Sequence, residues 1–214
     1  LFRSVLSVSR RDGRVSLSRY GAEVLAPAEA PLASAASGFR SAFGLVPGER
    51  LYGMGDQTRE RIEKRGHLAH MWVRNVGSYV PIPVLLSTRG WGLFVNSTWR
   101  HYIDAGSTHP DRLAFGGRRG PLDYFLFVGA DLPQLLDRYT QITGRPRLLP
   151  LWGYGLTFVC NQQADARQML DDCLNFRRER IPCDLIGLEP GWMSRYYDFT
   201  VDKEWHPDRF YLPH

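Results

Sequence analysis

At Asp131 the hydrophobic period of this 214-residue chain changes, and no other feature restricts its fold as strongly. Upstream, apolar residues alternate or gather in short blocks separated by Gly, Pro and Asp, the pattern of strands joined by turns. From Asp131 onward, Leu132, Leu135, Leu136, Tyr139 and Ile142 follow helical spacing. Asp131 is a suitable N-cap, Pro133 falls in the first turn, and Gly144 and Pro146 stop the helix. After Pro150 the pattern changes again. Trp152 to Val159 reads as a buried strand, 163–180 as an amphipathic helix, and Cys183 to Leu188 as a second buried strand. Ala166, Met169, Leu170, Cys173 and Leu174 form the helix's inward stripe. Strand, helix and strand within so short a span make a βαβ unit, whose two strands must be parallel.

The upstream strands give a sandwich. Val5, Leu6 and Val8 are followed by Asp12-Gly13 and then Val15, Leu17 and Tyr20, a hairpin signal. Residues 26–38 are rich in Ala, Pro and Ser, lack periodicity and read as a loop. Phe39 to Leu45, Pro83 to Ser87 and Trp91 to Val95 read as strands, the last two joined at Arg89-Gly90. Asp123 to Val128 is a continuous apolar run that reads as a strand buried on both faces. With no helix among them, these strands predict a β-sandwich over 1–130. Residues 131–150 are then a linking helix and junction, and 151–214 the start of a parallel α/β barrel. A lone βαβ leaves strand edges open, so the reading expects more chain after His214.

Composition excludes several classes. Apolar residues at 43% and charged residues at 23% describe an ordinary globular protein. The net charge of +5 is scattered, as in the mixed run Arg59-Glu60-Arg61-Ile62-Glu63-Lys64-Arg65, which argues against a nucleic-acid partner. No apolar run reaches membrane-spanning length, so no membrane partner is expected. Cys160, Cys173 and Cys183 match no zinc spacing and read as buried free thiols, a lean toward a reducing, cytoplasmic setting. His67-Leu-Ala-His70 has metal-like spacing without a third ligand, so neither metal nor other cofactor is expected. Oligomeric state leaves no trace in the sequence.

Functional groups of parallel barrels project from the C-terminal ends of strands. Glu189 occupies such a position, with Trp192 and Met193 beside it. Its carboxylate can accept hydrogen bonds from two neighbouring sugar hydroxyls; equally, it can cap the next helix or pair with an arginine. Phe158, near the end of the preceding strand, is either a platform for a sugar ring or a core residue.

Several blocks then carry a resemblance. Tyr52-Gly-Met-Gly-Asp56 resembles a turn of glycoside hydrolase family 31, the α-glucosidase and α-xylosidase family. Ile82-Pro-Val-Leu-Leu-Ser87 with Trp91-Gly-Leu-Phe-Val-Asn96 resembles that family's hairpin. Tyr139 to Pro146, then Pro150-Leu-Trp-Gly-Tyr-Gly155, resembles its entry into the barrel, and Ile181-Pro182 through Trp192, with Trp205 and Pro207 to Phe210, its second strand and following loop. The blocks keep family order from about residue 49 to the end.

The resemblance implies a galactose-mutarotase-like sandwich followed by the first strands of a (β/α)8 TIM barrel. It implies a retaining α-glycosidase that hydrolyses terminal α-linked sugars of an oligosaccharide or glycoside. Transglycosylation and lyase chemistry use related sites, and a non-catalytic carbohydrate-binding or structural module is the alternative from a different class. The family's two catalytic aspartates lie on later strands, so no catalytic residue is assigned here; Asp184, Asp198, Asp202 and Asp208 are not candidates. The fragment alone is expected to be inactive. Glu189 takes the place of an aspartate that bonds the sugar in the cleaved subsite. Its extra methylene shifts the oxygens by roughly 1.5 Å, which points to a different sugar or recognition geometry. Met71 to Tyr79 matches a loop that the family sends toward the active site, where Arg74 and Asn75 are either substrate donors or parts of a surface turn.

Overall fold

The computed structural model describes residues 4–34, 38–57, 61–74, 77–160, 166–189, 192–195 and 197–200. The chain divides into two compact units, Leu1–Arg145 and Pro146–His214.

In chain order the first unit contains β1 (Ser4–Val8), β2 (Val15–Arg19), β3 (Ala22–Leu25), β4 (Pro27–Ser34), β5 (Gly38–Gly44) and β6 (Leu51–Gly55). It continues with β7 (Leu68–Met71), β8 (Pro81–Ser87), β9 (Trp91–Val95), β10 (His101–Ala105), β11 (Arg112–Gly117), β12 (Tyr124–Val128) and α1 (Leu132–Thr143). One sheet has the order β4-β5-β11-β10-β7, a second β12-β9-β8-β6, and β1-β2-β3 form a third. Phe39, Phe43, Ile103, Leu113 and Phe115 from the first sheet and Leu51, Leu85, Trp91, Leu93 and Val95 from the second share one core, which Leu17 and Leu25 also enter. This is the sandwich that the strand pattern predicts, with β1 and β2 paired across Asp12-Gly13.

Among the strands of the first unit, three expectations need correction. Within the stretch read as a loop, Pro27–Ser34 form a strand. β4 pairs antiparallel with β5 at the edge of its sheet, with register shifts at Pro27/Glu29 and Glu29/Leu32. An edge strand tolerates proline, and bulges erase the alternation that marks a strand in sequence. β12 is not buried on both faces; it is the other sheet's edge, and Phe125 is 38% exposed. Tyr52-Gly-Met-Gly-Asp56 is not a turn but most of β6 and the residue after it. Gly53 has φ 127° and Gly55 φ 72°, and a Cβ on either would come within 2.3 Å and 1.9 Å of the carbonyl oxygens of Val84 and Val80. Both glycines let β6 and β8 approach closely.

α1 forms as its sequence signals require. The Asp131 carboxylate accepts from the Gln134 N–H at 2.9 Å, and the Gly144 N–H, at φ 93°, returns to the Thr140 carbonyl. Leu135 is fully buried with Val84 and Phe127, while Leu136 and Ile142 are exposed, so the apolar stripe in use is narrower than its spacing suggests.

The second unit contains a 3₁₀ turn (Leu151–Tyr154), β13 (Thr157–Cys160), α2 (Ala166–Arg178) and β14 (Leu185–Leu188). β13 and β14 are parallel, with Thr157 opposite Leu185 and Cys160 opposite Leu188. The predicted strand over Trp152 to Val159 is therefore shorter and starts later. Pro150 caps the 3₁₀ turn, and at Gly155 the Asp184 side chain lies where a Cβ would stand. Neither strand is fully buried: Val159 is exposed and β14 is half-buried throughout. In α2, Met169 and Cys173 are half-buried, but Leu170 and Leu174 are exposed; the side chain of Ala166 lies outside the described residues.

Candidate functional site

In the second unit, the parallel register brings Cys160 and Leu188 to the same end of the sheet, and Glu189 follows Leu188 directly. Glu189 is half-buried. Its backbone carbonyl accepts from the Trp192 N–H at 3.2 Å. Among the described residues its carboxylate has neither a hydrogen bond nor an ion pair. Met193 is buried, and the Trp192 ring lies 6.3 Å from that of Phe199, tilted by 60°. An acceptor thus stands at the end of a parallel strand, with a half-buried indole three residues further on, where a polyol can be bonded and stacked.

Phe158 packs elsewhere. Its ring meets that of Phe176 edge-on at 5.2 Å, on the face covered by α2. The aspartates set aside above are also accounted for in part. Asp198 accepts from Arg195 N–H, Thr200 N–H and the Thr200 hydroxyl. The Thr200 backbone bond is the main cause that holds its carboxyl below the usual range, and the residue closes a local loop. Asp184 is exposed, and its N–H donates to Leu156. Asp202 and Asp208 lie outside the described residues.

In the first unit, Arg74 lies at the foot of a short hairpin. Its N–H donates to the Ser78 carbonyl at 2.8 Å and its carbonyl accepts from the Ser78 N–H at 3.0 Å. The Arg74 side chain is exposed; Asn75 lies outside the described residues. What holds this hairpin is Asp56. Its carboxylate accepts from the Ser78 hydroxyl at 3.1 Å and from the N–H groups of Tyr79 at 2.7 Å and Val80 at 2.9 Å. Desolvation pushes its pKa up, but the bonds from Val80, Tyr79 and Ser78 outweigh that and hold it below the ordinary value. Gln57 Nε2 donates to the Ser78 hydroxyl at 2.6 Å, and buried Lys64 donates to the Arg61 carbonyl at 2.7 Å. Asp56 was missed as a positioning residue. Its signal was its place after two crowded glycines at the end of a strand.

His67 and His70, one just before β7 and one within it, are three residues apart on extended chain, so their side chains leave opposite faces. Among the described residues no three metal-binding side chains come together.

Residues 6–104 match the "Glycosyl hydrolase 31 N-terminal galactose mutarotase-like domain" and residues 146–212 the "Glycosyl hydrolases family 31 TIM-barrel domain". An alpha-xylosidase of Emericella nidulans is 30% identical over 176 residues, which cover 77% of this chain and 22% of that protein. Alpha-xylosidase XylQ of Lactiplantibacillus pentosus is 29% identical, with coverage of 75% and 22%. The chain thus spans about a fifth of the length of these curated relatives. A dextranase of Flavobacterium johnsoniae, solved with glucose, superposes with a TM-score of 0.79 at 22% identity, covering 92% of this chain and 25% of that one. At that identity the likeness establishes the fold.

Proposed function

The chain belongs to glycoside hydrolase family 31, and from that premise we propose that it supplies the N-terminal sandwich and the opening of the catalytic barrel to a retaining α-glycosidase. The observation that carries the proposal is the parallel β13–β14 pair with Glu189 at its C-terminal end, inside the segment that matches the family's TIM-barrel domain. In that reading residues 1–130 are the sandwich, 131–150 the junction, and 151–214 the barrel's beginning. The substrate is an α-linked oligosaccharide or glycoside. The relatives' names, alpha-xylosidase and, for one of Bacillus thermoamyloliquefaciens, Alpha-glucosidase 2, make xylose and glucose the sugars to try.

The chemistry is a double displacement. One carboxylate attacks the anomeric carbon while a carboxylic acid protonates the leaving oxygen; water then cleaves the glycosyl ester with the second group acting as base, and the configuration is retained. The two groups must stand about 5 Å apart. No residue of this chain is assigned to either. Glu189 holds sugar hydroxyls, with Trp192 and Met193 as its apolar companions in the second unit; in the first unit, taken by itself, Arg74 and Asn75 are the residues proposed to donate to substrate. Phe158 acts at one remove, fixing the strand against α2 through Phe176.

The test is turnover of aryl α-xylosides and α-glucosides by the complete enzyme and by the 214-residue chain, with NMR of the first-formed anomer. Retention by the complete enzyme and no turnover by this chain are expected. Turnover by this chain alone, or inversion, overturns the reading. Sugar binding without turnover by the complete protein would make it a binding module instead.

A further inference from the structure

One end of the five-stranded sheet holds a second feature, which the glycosidase reading does not use and which stands independently of it. The register of β5, β11, β10 and β7 places Arg40, Gly116, Tyr102 and His70 in one cross-strand row, and Phe39, Gly117 and His101 in the next. Residues of both rows, whose side chains leave opposite faces of the sheet, border a cleft of about 850 Å³ at this end of the strands, within the range of small-molecule sites. At Gly117 a Cβ would come within 3.0 Å of the Phe39 ring and 3.1 Å of the His101 Cβ.

The walls have an uneven chemistry. Trp72 and Trp99 line the cleft with 49% and 48% of their surface exposed. Arg100, Arg118 and Arg119 line it too, all exposed. Arg119 lies over the Trp99 ring at 5.8 Å. Among the described residues none of these three arginines has a carboxylate partner, whereas Arg40 is paired with Glu29 at 3.5 Å. Among the described residues that line it there is no aspartate or glutamate. His101 is 3% exposed. Its Nδ1 lies 2.7 Å from the Trp99 carbonyl, an oxygen that can only accept, so Nδ1 carries the proton and Nε2 is left as an acceptor. Among the described residues Nε2 has no hydrogen-bond partner. Burial pulls the ring's pKa down against the opposing effect of the Trp99 bond.

We propose that this cleft is a binding site for an anionic saccharide, with its carboxylate or sulfate on Arg100, Arg118 and Arg119 and its ring faces on Trp72 and Trp99. Guanidinium forks match a planar or tetrahedral anion, and exposed indole faces match the C–H face of a sugar ring. Arginine with aromatic rings also suits single-stranded nucleic acid, but such a ligand needs a basic groove that tracks a backbone. Here the site is a single cleft and the basic residues elsewhere are interleaved with acids.

The test is isothermal titration of the 214-residue chain with α-1,4-digalacturonate, galactose 6-sulfate and maltose, and with a dT8 oligonucleotide. Saturable binding of at least one anionic sugar is expected, with maltose about tenfold or more weaker, and Trp99→Ala and Arg119→Ala should each weaken the anionic sugar about tenfold. Digalacturonate alone would assign a carboxylate, both anionic sugars a general anion fork. Because Trp99 and Arg119 are exposed, these variants should keep the wild-type circular dichroism. Equal affinity for maltose, undiminished binding by both cleft variants, tighter binding of dT8, or no binding of either anionic sugar overturns the proposal.

Discussion

Glu49 shows how much a single side chain can organise. It is 4% exposed, and its carboxylate accepts from Trp91 Nε1 at 2.8 Å, from the Ser87 hydroxyl and from the Val46 N–H at 3.0 Å. It therefore joins the turn before β6 to the β8–β9 hairpin and satisfies the one polar atom of a fully buried indole. Glu49→Ala leaves these donors unpaired and should cost about 2–3 kcal/mol, read as a lower urea midpoint with an unchanged m-value. Glu189 has a different role, and its test is kinetic. Glu189→Gln keeps the shape and removes the charge. In the complete enzyme kcat/KM should fall about ten- to a hundredfold, the loss of a charge-assisted bond to a sugar hydroxyl. An unchanged value would take Glu189 out of the site.

Among elements, the hairpin carrying Arg74 depends on a residue eighteen positions earlier in the chain. Asp56 replaces solvent as the acceptor for Ser78, Tyr79 and Val80, and its folded pKa lies below the ordinary 3.8. A depressed folded pKa means that its contribution is complete above the unfolded value and is lost as pH falls through the folded one. Asp56→Asn should therefore remove part of the acid sensitivity below about pH 4. It should also speed amide hydrogen exchange at Tyr79 and Val80 relative to the β8–β9 ladder. Equal exchange in the two proteins would show that the hairpin holds without Asp56. The glycines of β6 explain why this anchor is where it is: they let β6 run against β8 closely enough for Asp56 to reach the backbone at Tyr79 and Val80.

For the whole molecule, the two units differ in how much core they own. The first buries a continuous apolar cluster between its sheets. In the second, Leu156, Val159, Leu170 and Leu174 are exposed, as expected of one βαβ with no neighbouring strand among the described residues. Residues 1–145 should therefore fold alone with a cooperative thermal transition, and 146–214 should not; circular dichroism melts of the two pieces would test this, and a non-cooperative 1–145 would refute it. The sequence by itself determined the change from strands to helix at Asp131, the capping of α1, the parallel pair and the place of Glu189 at its end. Each of these rests on local periodicity or on residues with one conformational use, such as Asp131, Gly144 and Pro150. Only the tertiary structure decided that β4 is a strand, that β12 is an edge, that Phe158 meets Phe176, that Asp56 holds a hairpin, and that Trp72, Trp99 and three arginines share a cleft. Pairing partners, edges and cross-strand neighbours are set by long-range packing, which no local pattern of residues encodes.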